Sequence, residues 1–165
     1  MATTITDALL QETIIRAVQN VFQTMLKLTL SPVPVTGDSP MEALGAPPYT
    51  ISHVGFAGEL NGTVYLCLNQ RFGRRCAELM LGMTAAEVAE SGDEVVNDVI
   101  GEITNMTTGG FKNALSDLGF PCKLSLPTIV HGDHLAIAAI KSANRQIFHF
   151  QSGEHRLIVH VHLQV

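Results

Sequence analysis

One helical pattern in the second half of the chain constrains the fold more than any other feature of the sequence. Over residues 93–118 apolar side chains recur at helical spacing, and Gly119 followed by Pro121 is a typical stop signal. A helix of this length buries its apolar side against a larger element. After Pro121 the apolar runs are short or alternating, which is typical of strands. The sequence therefore predicts a long helix packed on a sheet.

A second long helix is predicted near the start of the chain. Residues 6–28 again place apolar side chains at helical spacing, with polar ones on the opposite side. The composition then changes to Pro, Gly and short side chains over residues 31–48, which we interpret as a loop within the domain. Asn69 is expected to cap a shorter helix that ends at Gly82, and Thr84 to begin a short turn.

Six segments are predicted to be strands. Two of them form a hairpin with its turn at Asn61-Gly62, a dipeptide suited to the positive φ angles of a tight turn. The six segments are residues 50–58, 63–68, 124–130, 135–139, 147–150 and 157–163. We therefore expect an α+β fold in which two long helices pack on one face of an antiparallel sheet of about six strands.

The composition fits one domain, which we assign to residues 1–165. Although 46% of the residues are hydrophobic, no apolar stretch is long enough to span a bilayer, so membrane insertion is not expected. The formal net charge is -5, and the one local cationic cluster is Arg71, Arg74 and Arg75. A nucleic-acid partner needs more clustered cations than this and is not expected.

The cysteines and the first residues of the chain indicate in which cellular compartment the protein is expected. Cys67, Cys76 and Cys122 are odd in number and scattered among apolar or helical neighbours, which predicts free buried thiols rather than disulfides. The start of the chain lacks the basic and apolar sections of a secretory signal. We therefore expect a cytoplasmic protein.

The helix predicted over residues 93–118 carries one polar stripe. At roughly 100° per residue, Asp98, Glu102, Asn105 and Gly109 fall within about 60° of one another, and the apolar residues lie on the other side. A Glu and an Asn one turn apart, followed by a glycine, suit insertion into another molecule's site. A solvated helix surface has the same spacing, so the spacing alone leaves both interpretations open.

These residues resemble a known family. The pattern Asp98-x-x-x-Glu102-x-x-Asn105, then Gly109, then Pro127 at the start of a Pro-Thr-Ile-Val strand, is similar to the CheX branch of the CheC, CheX and FliY chemotaxis phosphatases. That family shows Asp or Ser four residues before a Glu, Asn three residues after it, and Pro beyond the helix. All four positions are filled here, and the order of elements on either side agrees. The resemblance implies a CheC/CheX-like fold.

The resemblance also implies a reaction, the hydrolysis of the aspartyl phosphate on a response-regulator receiver domain such as phosphorylated CheY. It implies that Asn105 orients the attacking water and that Glu102 pairs with a receiver lysine. Asp98, Gly109 and Pro127 are implied as supporting or partner-binding residues. The Mg²⁺ of the reaction would belong to the receiver, so no cofactor or metal is expected in this chain.

Two further hypotheses follow. A non-catalytic receiver-binding or adaptor module would use the same helix as a docking surface, and loss of turnover in Glu102→Ala and Asn105→Ala would distinguish the phosphatase from it. The resemblance also implies a homodimer, for which the alternating strand at residues 157–162 would supply a sheet edge.

The histidines raise a metal hypothesis, which we do not favour. His160 and His162 share one face of a predicted strand, but a third ligand at a fixed spacing is missing. We therefore expect no metal site.

Overall fold

The computed structural model describes residues 4–35, 41–138, 141 and 143–164. Within these ranges it has four α-helices and an antiparallel sheet of seven strands, which confirms the predicted α+β class with one strand more than expected. The helices are α1 (Asp7–Leu26), α2 (Gln70–Leu81), α3 (Ala85–Ser91) and α4 (Asp93–Asp117). The strands are β1 (Ser31–Val33), β2 (Tyr49–Gly58), β3 (Asn61–Asn69), β4 (Cys122–Leu124), β5 (Thr128–Gly132), β6 (Ala143–Ser152) and β7 (His155–Gln164). None of the helices in the described ranges is long and apolar enough to cross a membrane.

The strand order contradicts one expectation about assembly. The sheet runs β1-β6-β7-β3-β2, and β4 and β5 both pair with β2. The strand at residues 157–162, expected at a sheet edge, belongs to β7 and is hydrogen-bonded to β3 on one side and β6 on the other. That edge prediction is wrong, because local alternation does not say which strands will flank a segment. The homodimer stays a prediction.

The hairpin of β2 and β3 turns two residues earlier than predicted. The turn lies at residues 59–60, and Asn61 is already the first residue of β3. The Asn61 side chain accepts a hydrogen bond from the Gly58 N–H at 3.1 Å. A Cβ on Gly62 would lie 2.2 Å from the carbonyl oxygen of His162 in β7. Gly62 is therefore needed for the close approach of a neighbouring strand, not for a turn.

Two other predicted strands differ from the structure. The segment predicted as one strand over residues 124–130 is two strands, β4 and β5, separated by residues 125–127. Residues 135–138 form no strand, and Ala139 lies outside the described residues. Leu135 and Ile137 instead pack against apolar residues of the sheet face that the helices leave uncovered.

The segment predicted as a loop, residues 31–48, contains regular structure in both of its described parts, 31–35 and 41–48. It begins with β1, which pairs with β6, and Met41–Leu44 forms one turn of 3-10 helix. Residues 36–40 lie outside the described part. Asn69 caps α2 as predicted, since its side chain accepts a hydrogen bond from the Phe72 N–H. Thr6 caps α1 in the same way, with the Leu9 N–H as the donor.

The main core lies between the helices and one face of the sheet. Its largest fully buried side chains include Phe22, Phe72, Phe111, Ile100 and Leu157. The three cysteines are free and buried, which confirms the thiol prediction, and burial raises the pKa of Cys67 and Cys76 to about 12. A smaller apolar cluster covers part of the opposite face and is made of Met41, Leu44, Tyr49, Ile51, Cys67 and Ile158.

The opposite face also buries three histidines of β6 and β7. His149, His160 and His162 are each no more than 2% exposed. Burial lowers the pKa of all three, and for His160, which also lies near Arg145 and the other two, the pKa falls to about 3. The described residues contain no group of three or more His, Cys, Asp or Glu side chains that could hold a metal ion. These histidines are neutral members of the packed sheet.

This cluster predicts that acid destabilises the fold. Between pH 6.5 and about pH 3 the unfolded chain protonates His160 whereas the folded chain does not, so the stability present above pH 6.5 is lost as the pH falls. Each pH unit costs up to about 1.4 kcal/mol per histidine. Urea unfolding at pH 7, 6 and 5 should show a shallower decline for His160→Leu than for the native chain. The exposed His134→Leu should keep the native decline, and an unchanged slope in His160→Leu would contradict the prediction.

Candidate functional site

Helix α4 carries the predicted polar stripe on its outward side. Asp98 and Glu102 are exposed, and Asn105 and Gly109 are half-buried. The opposite side of α4 is fully packed and is formed by Val96, Val99, Ile100, Ile103, Phe111 and Leu115. The structure therefore brings all four stripe residues to one side of one helix, facing away from the core.

Two contacts set the rotation of α4 about its own axis. Thr104 is fully buried, and its hydroxyl lies 2.7 Å from that of Ser52 in β2. The Thr104 hydroxyl also bonds to the Ile100 carbonyl at 2.7 Å. At Gly101 the helix backbone faces the strand beyond it, because a Cβ there would lie 3.6 Å from Ile129 and 3.7 Å from Pro127. Since Gly101 and Thr104 directly precede Glu102 and Asn105, these contacts orient the stripe.

The structure also shows how Pro127 comes near the stripe. It stands at the end of the β4–β5 loop, half-buried, against Gly101. Pro127 could be named from the sequence, whereas Gly101 was missed. The signal that could have found Gly101 is a glycine in the middle of a helix, which costs about 1 kcal/mol relative to alanine. A Cβ at Gly101 would make ordinary van der Waals contacts with Ile129 and Pro127, so the packing in this chain does not by itself require the glycine.

The polar groups of the stripe are free to bind another molecule. Within the described ranges, Asp98, Glu102 and Asn105 form no hydrogen bond or ion pair through their side chains. The first half of α4 carries four carboxylates, of Asp93, Glu94, Asp98 and Glu102, and its first cationic residue is Lys112. This end of the helix therefore favours a partner that offers a cation beside hydrogen-bonding groups.

The stripe lines neither of two cavities found among the described residues. One, of about 540 Å³, lies between α1 and the second half of α4, and the other, of about 450 Å³, lies beside the start of α2 and includes Arg71, Glu154 and His155 among its lining residues. Arg71 and Glu154 form an ion pair there at 2.7 Å, with both side chains exposed. Small substrates are usually bound in concave sites, whereas the stripe is the outer surface of a helix. The arrangement suits insertion into a site on another macromolecule.

The helices pack on one face of the sheet, and the longest helix carries an unpaired Glu and Asn on its outer side. This arrangement places the protein in the class of the CheC and CheX folds. The family model described as "Chemotaxis phosphatase CheX" matches residues 50–151, which is more than half of the chain and includes all of α4. The chain belongs to the CheX family of chemotaxis phosphatases. No curated relative matches the sequence.

Solved structures agree on the fold along nearly the whole chain. The chemotaxis protein CheX from Vibrio vulnificus is 24% identical with a TM-score of 0.77, over 98% of this chain and 100% of that one. A CheC-like superfamily protein from Shewanella sp. PV-4 is 25% identical with a TM-score of 0.78, over 94% of this chain and 97% of that one. A CheX–CheY–BeF3–Mg²⁺ complex from Borrelia burgdorferi has a chain that is 18% identical with a TM-score of 0.72, over 94% of this chain and 97% of that one.

Replacing the stripe glycine, Gly109, by alanine is expected to stabilise the protein. A Cβ on Gly109 would meet nothing within 4 Å, so Gly109→Ala should gain most of the helix propensity, up to about 1 kcal/mol in the free energy of unfolding. Urea denaturation measures this change. The matched control is Gly73→Ala in α2, whose Cβ would lie 3.0 Å from Ile100 and should gain less. If Gly109→Ala gained no more stability than Gly73→Ala, the conclusion that the surface at Gly109 is open would be contradicted.

Proposed function

We propose that this protein hydrolyses the aspartyl phosphate of a CheY-type receiver domain. Membership of a chemotaxis phosphatase family supports the reaction class. The Borrelia burgdorferi structure, in which a CheX of the same fold is in complex with CheY, supports a receiver as the partner. The observation that carries the proposal is the unpaired Glu102 and Asn105 pair, one turn apart on the outer side of a helix whose rotation is fixed.

In this proposal Asn105 orients the attacking water. Its carboxamide both donates and accepts hydrogen bonds, so it can hold a water in line with the phosphoryl group without bringing a charge toward that group. Phosphoryl transfer gains mainly from positioning and from electrostatic stabilisation, which a neutral, well-placed group can supply. Because the buried Thr104 precedes Asn105 and is bonded to the sheet, the backbone that carries this carboxamide is held in place.

Glu102 is proposed to bind rather than to act as a base. Its exposed carboxylate is suited to pair with a lysine of the receiver, which would align α4 across the phosphorylated site. Asp98 lies one turn before it on the same stripe and is proposed to support that pairing or to contact the receiver. Gly109, which has no side chain, would let the receiver approach the helix closely, and Pro127 would border the contact.

The divalent cation of the reaction is proposed to come with the substrate. Mg²⁺ bound by the receiver would neutralise the phosphoryl oxygens, and this chain would supply only Asn105 and Glu102 to the joint site. We also propose that the protein acts in the cytoplasm as a homodimer with two independent sites. The homodimer rests on the family resemblance, and the cytoplasmic location rests on the free, buried cysteines.

The first test is turnover by single-residue variants. With a Mg²⁺-loaded, acyl-phosphorylated CheY-type receiver, the native chain should accelerate phosphate release, and Asn105→Ala should reduce kcat at least a hundredfold, or about 2.7 kcal/mol. Glu102→Ala should also lose turnover, with a larger loss of binding than Asn105→Ala. Release of inorganic phosphate gives the rate, and titration with the receiver in its acyl-phosphorylated form gives the affinity.

Matched controls are available on other helices. Asn20→Ala, an exposed Asn of α1, and Glu90→Ala, an exposed Glu of α3, should both keep native turnover. If the native chain binds the receiver without accelerating phosphate release, the adaptor hypothesis replaces the phosphatase. Equal losses in Asn20→Ala and Asn105→Ala would show that the effect is not specific to the stripe.

A second test asks which molecule holds the Mg²⁺. Chelation by EDTA should stop turnover, and added Mg²⁺ should restore it. The Mg²⁺ concentration that restores half of the rate should equal the concentration that half-saturates the receiver alone. It should not change in Asp98→Asn, since no carboxylate of α4 is proposed as a ligand. A shift of that midpoint in Asp98→Asn would place the cation partly on this chain.

A further inference from the structure

An exposed leucine stands next to Pro127 and belongs to neither apolar cluster of the fold. Leu126, in the β4–β5 loop, is 86% exposed, more than any other large apolar side chain among the described residues. The next, Leu81, is 48% exposed. Single exposed leucines are common on protein surfaces, so the exposure matters here only because of where Leu126 stands. Covering it with another molecule would gain the free energy of its burial.

The backbone around Leu126 is held firmly, so its exposure is not the result of a loose loop. Ser125 bonds to both backbone groups of Gly55 in β2: its N–H donates to the Gly55 carbonyl at 2.8 Å, and its hydroxyl accepts from the Gly55 N–H at 2.9 Å. The same hydroxyl lies 3.2 Å from the Leu126 carbonyl oxygen, to which it donates. Gly55 fits this contact, since a Cβ there would already lie 3.4 Å from the Ser125 hydroxyl oxygen. The sheet therefore presents Leu126 in a fixed position.

The next residue connects this loop to the stripe. Pro127 packs against the buried Gly101, which directly precedes Glu102 in α4. Because Leu126 directly precedes Pro127 in the loop, a molecule that docks on Glu102 and Asn105 would come close to Leu126. It would meet unpaired carboxylates on the helix and one exposed apolar side chain beside them.

We propose that Leu126 is an apolar anchor for the receiver domain that docks on the stripe. This inference rests on the proposed phosphatase function and adds a contact to it. The receiver would bury the leucine in an apolar depression beside its phosphorylated site while Glu102 pairs with its lysine. Because the anchor makes the same contact before and during the reaction, it contributes to binding of substrate and transition state alike. It is a specificity-determining residue rather than a catalytic one.

The test separates binding from chemistry. Leu126→Ser should raise KM for the phosphorylated receiver roughly tenfold, the effect of losing about one buried leucine side chain, and leave kcat nearly unchanged. Leu126→Met, which keeps an apolar side chain of similar volume, should restore most of the affinity. The matched control is Leu81→Ser at the end of α2, which should keep the native KM. Circular dichroism of each variant checks that the fold is intact.

The possible outcomes separate the two proposals. If the native chain has no phosphatase activity, the proposed function fails, and so does this inference. If the native chain is active and Leu126→Ser keeps the native KM, only the anchor is overturned. A fall in kcat at unchanged KM, or a change of oligomeric state at unchanged KM, also overturns it, the latter by assigning Leu126 to a contact between copies of this chain.

Discussion

The geometry of the site depends on how α4 is rotated on the sheet, and a buried contact between two hydroxyls fixes that rotation. Thr104 and Ser52 lie 2.7 Å apart, and no water is needed to satisfy them, because Thr104 also bonds to the carbonyl of its preceding helical turn. A shift of the helix by one residue would rotate it by about 100° and leave one buried hydroxyl unsatisfied, at a cost of about 1–3 kcal/mol. The packed apolar side of α4 opposes the same shift. The polar stripe is thus oriented by buried residues of the same helix.

The two faces of the sheet are covered by different groups, helices on one and buried histidines on part of the other. The helices and the stripe occupy one face, which β2 and β5 join to α4. The buried histidines His149, His160 and His162 lie on the other face, on β6 and β7. Their pKa values are lowered by burial, so acid destabilises the sheet through these histidines. A loss of activity on acidification must therefore be compared with the loss of folded protein at the same pH.

The sequence predicted the helices and the stripe well because both depend on local spacing. The end of α4 before Gly119, the cap at Asn69 and the side on which Glu102 lies all follow from residues within a turn or two. Strand pairing depends on distant residues, and there the prediction failed: it took β7 for an edge and β4 with β5 for one strand. The glycines show the same limit. Gly62 was predicted to be a turn residue, because the sequence does not show that a carbonyl of the distant strand β7 lies beside it.

The function proposed for the stripe requires a rigid surface more than a pocket. Asn105 and Glu102 have no side-chain partner within the described part of the chain, so in that proposal the receiver would order their side chains on docking. The entropy lost by ordering two side chains is modest, whereas ordering a whole loop would cost much more. Placing them on a long, fully packed helix avoids that larger cost, and the firmly bonded loop that carries Leu126 does the same for the apolar part of the surface. Under the proposed function, the free energy of docking would then be available to align the Asn105 carboxamide with the phosphoryl group, which in-line hydrolysis requires.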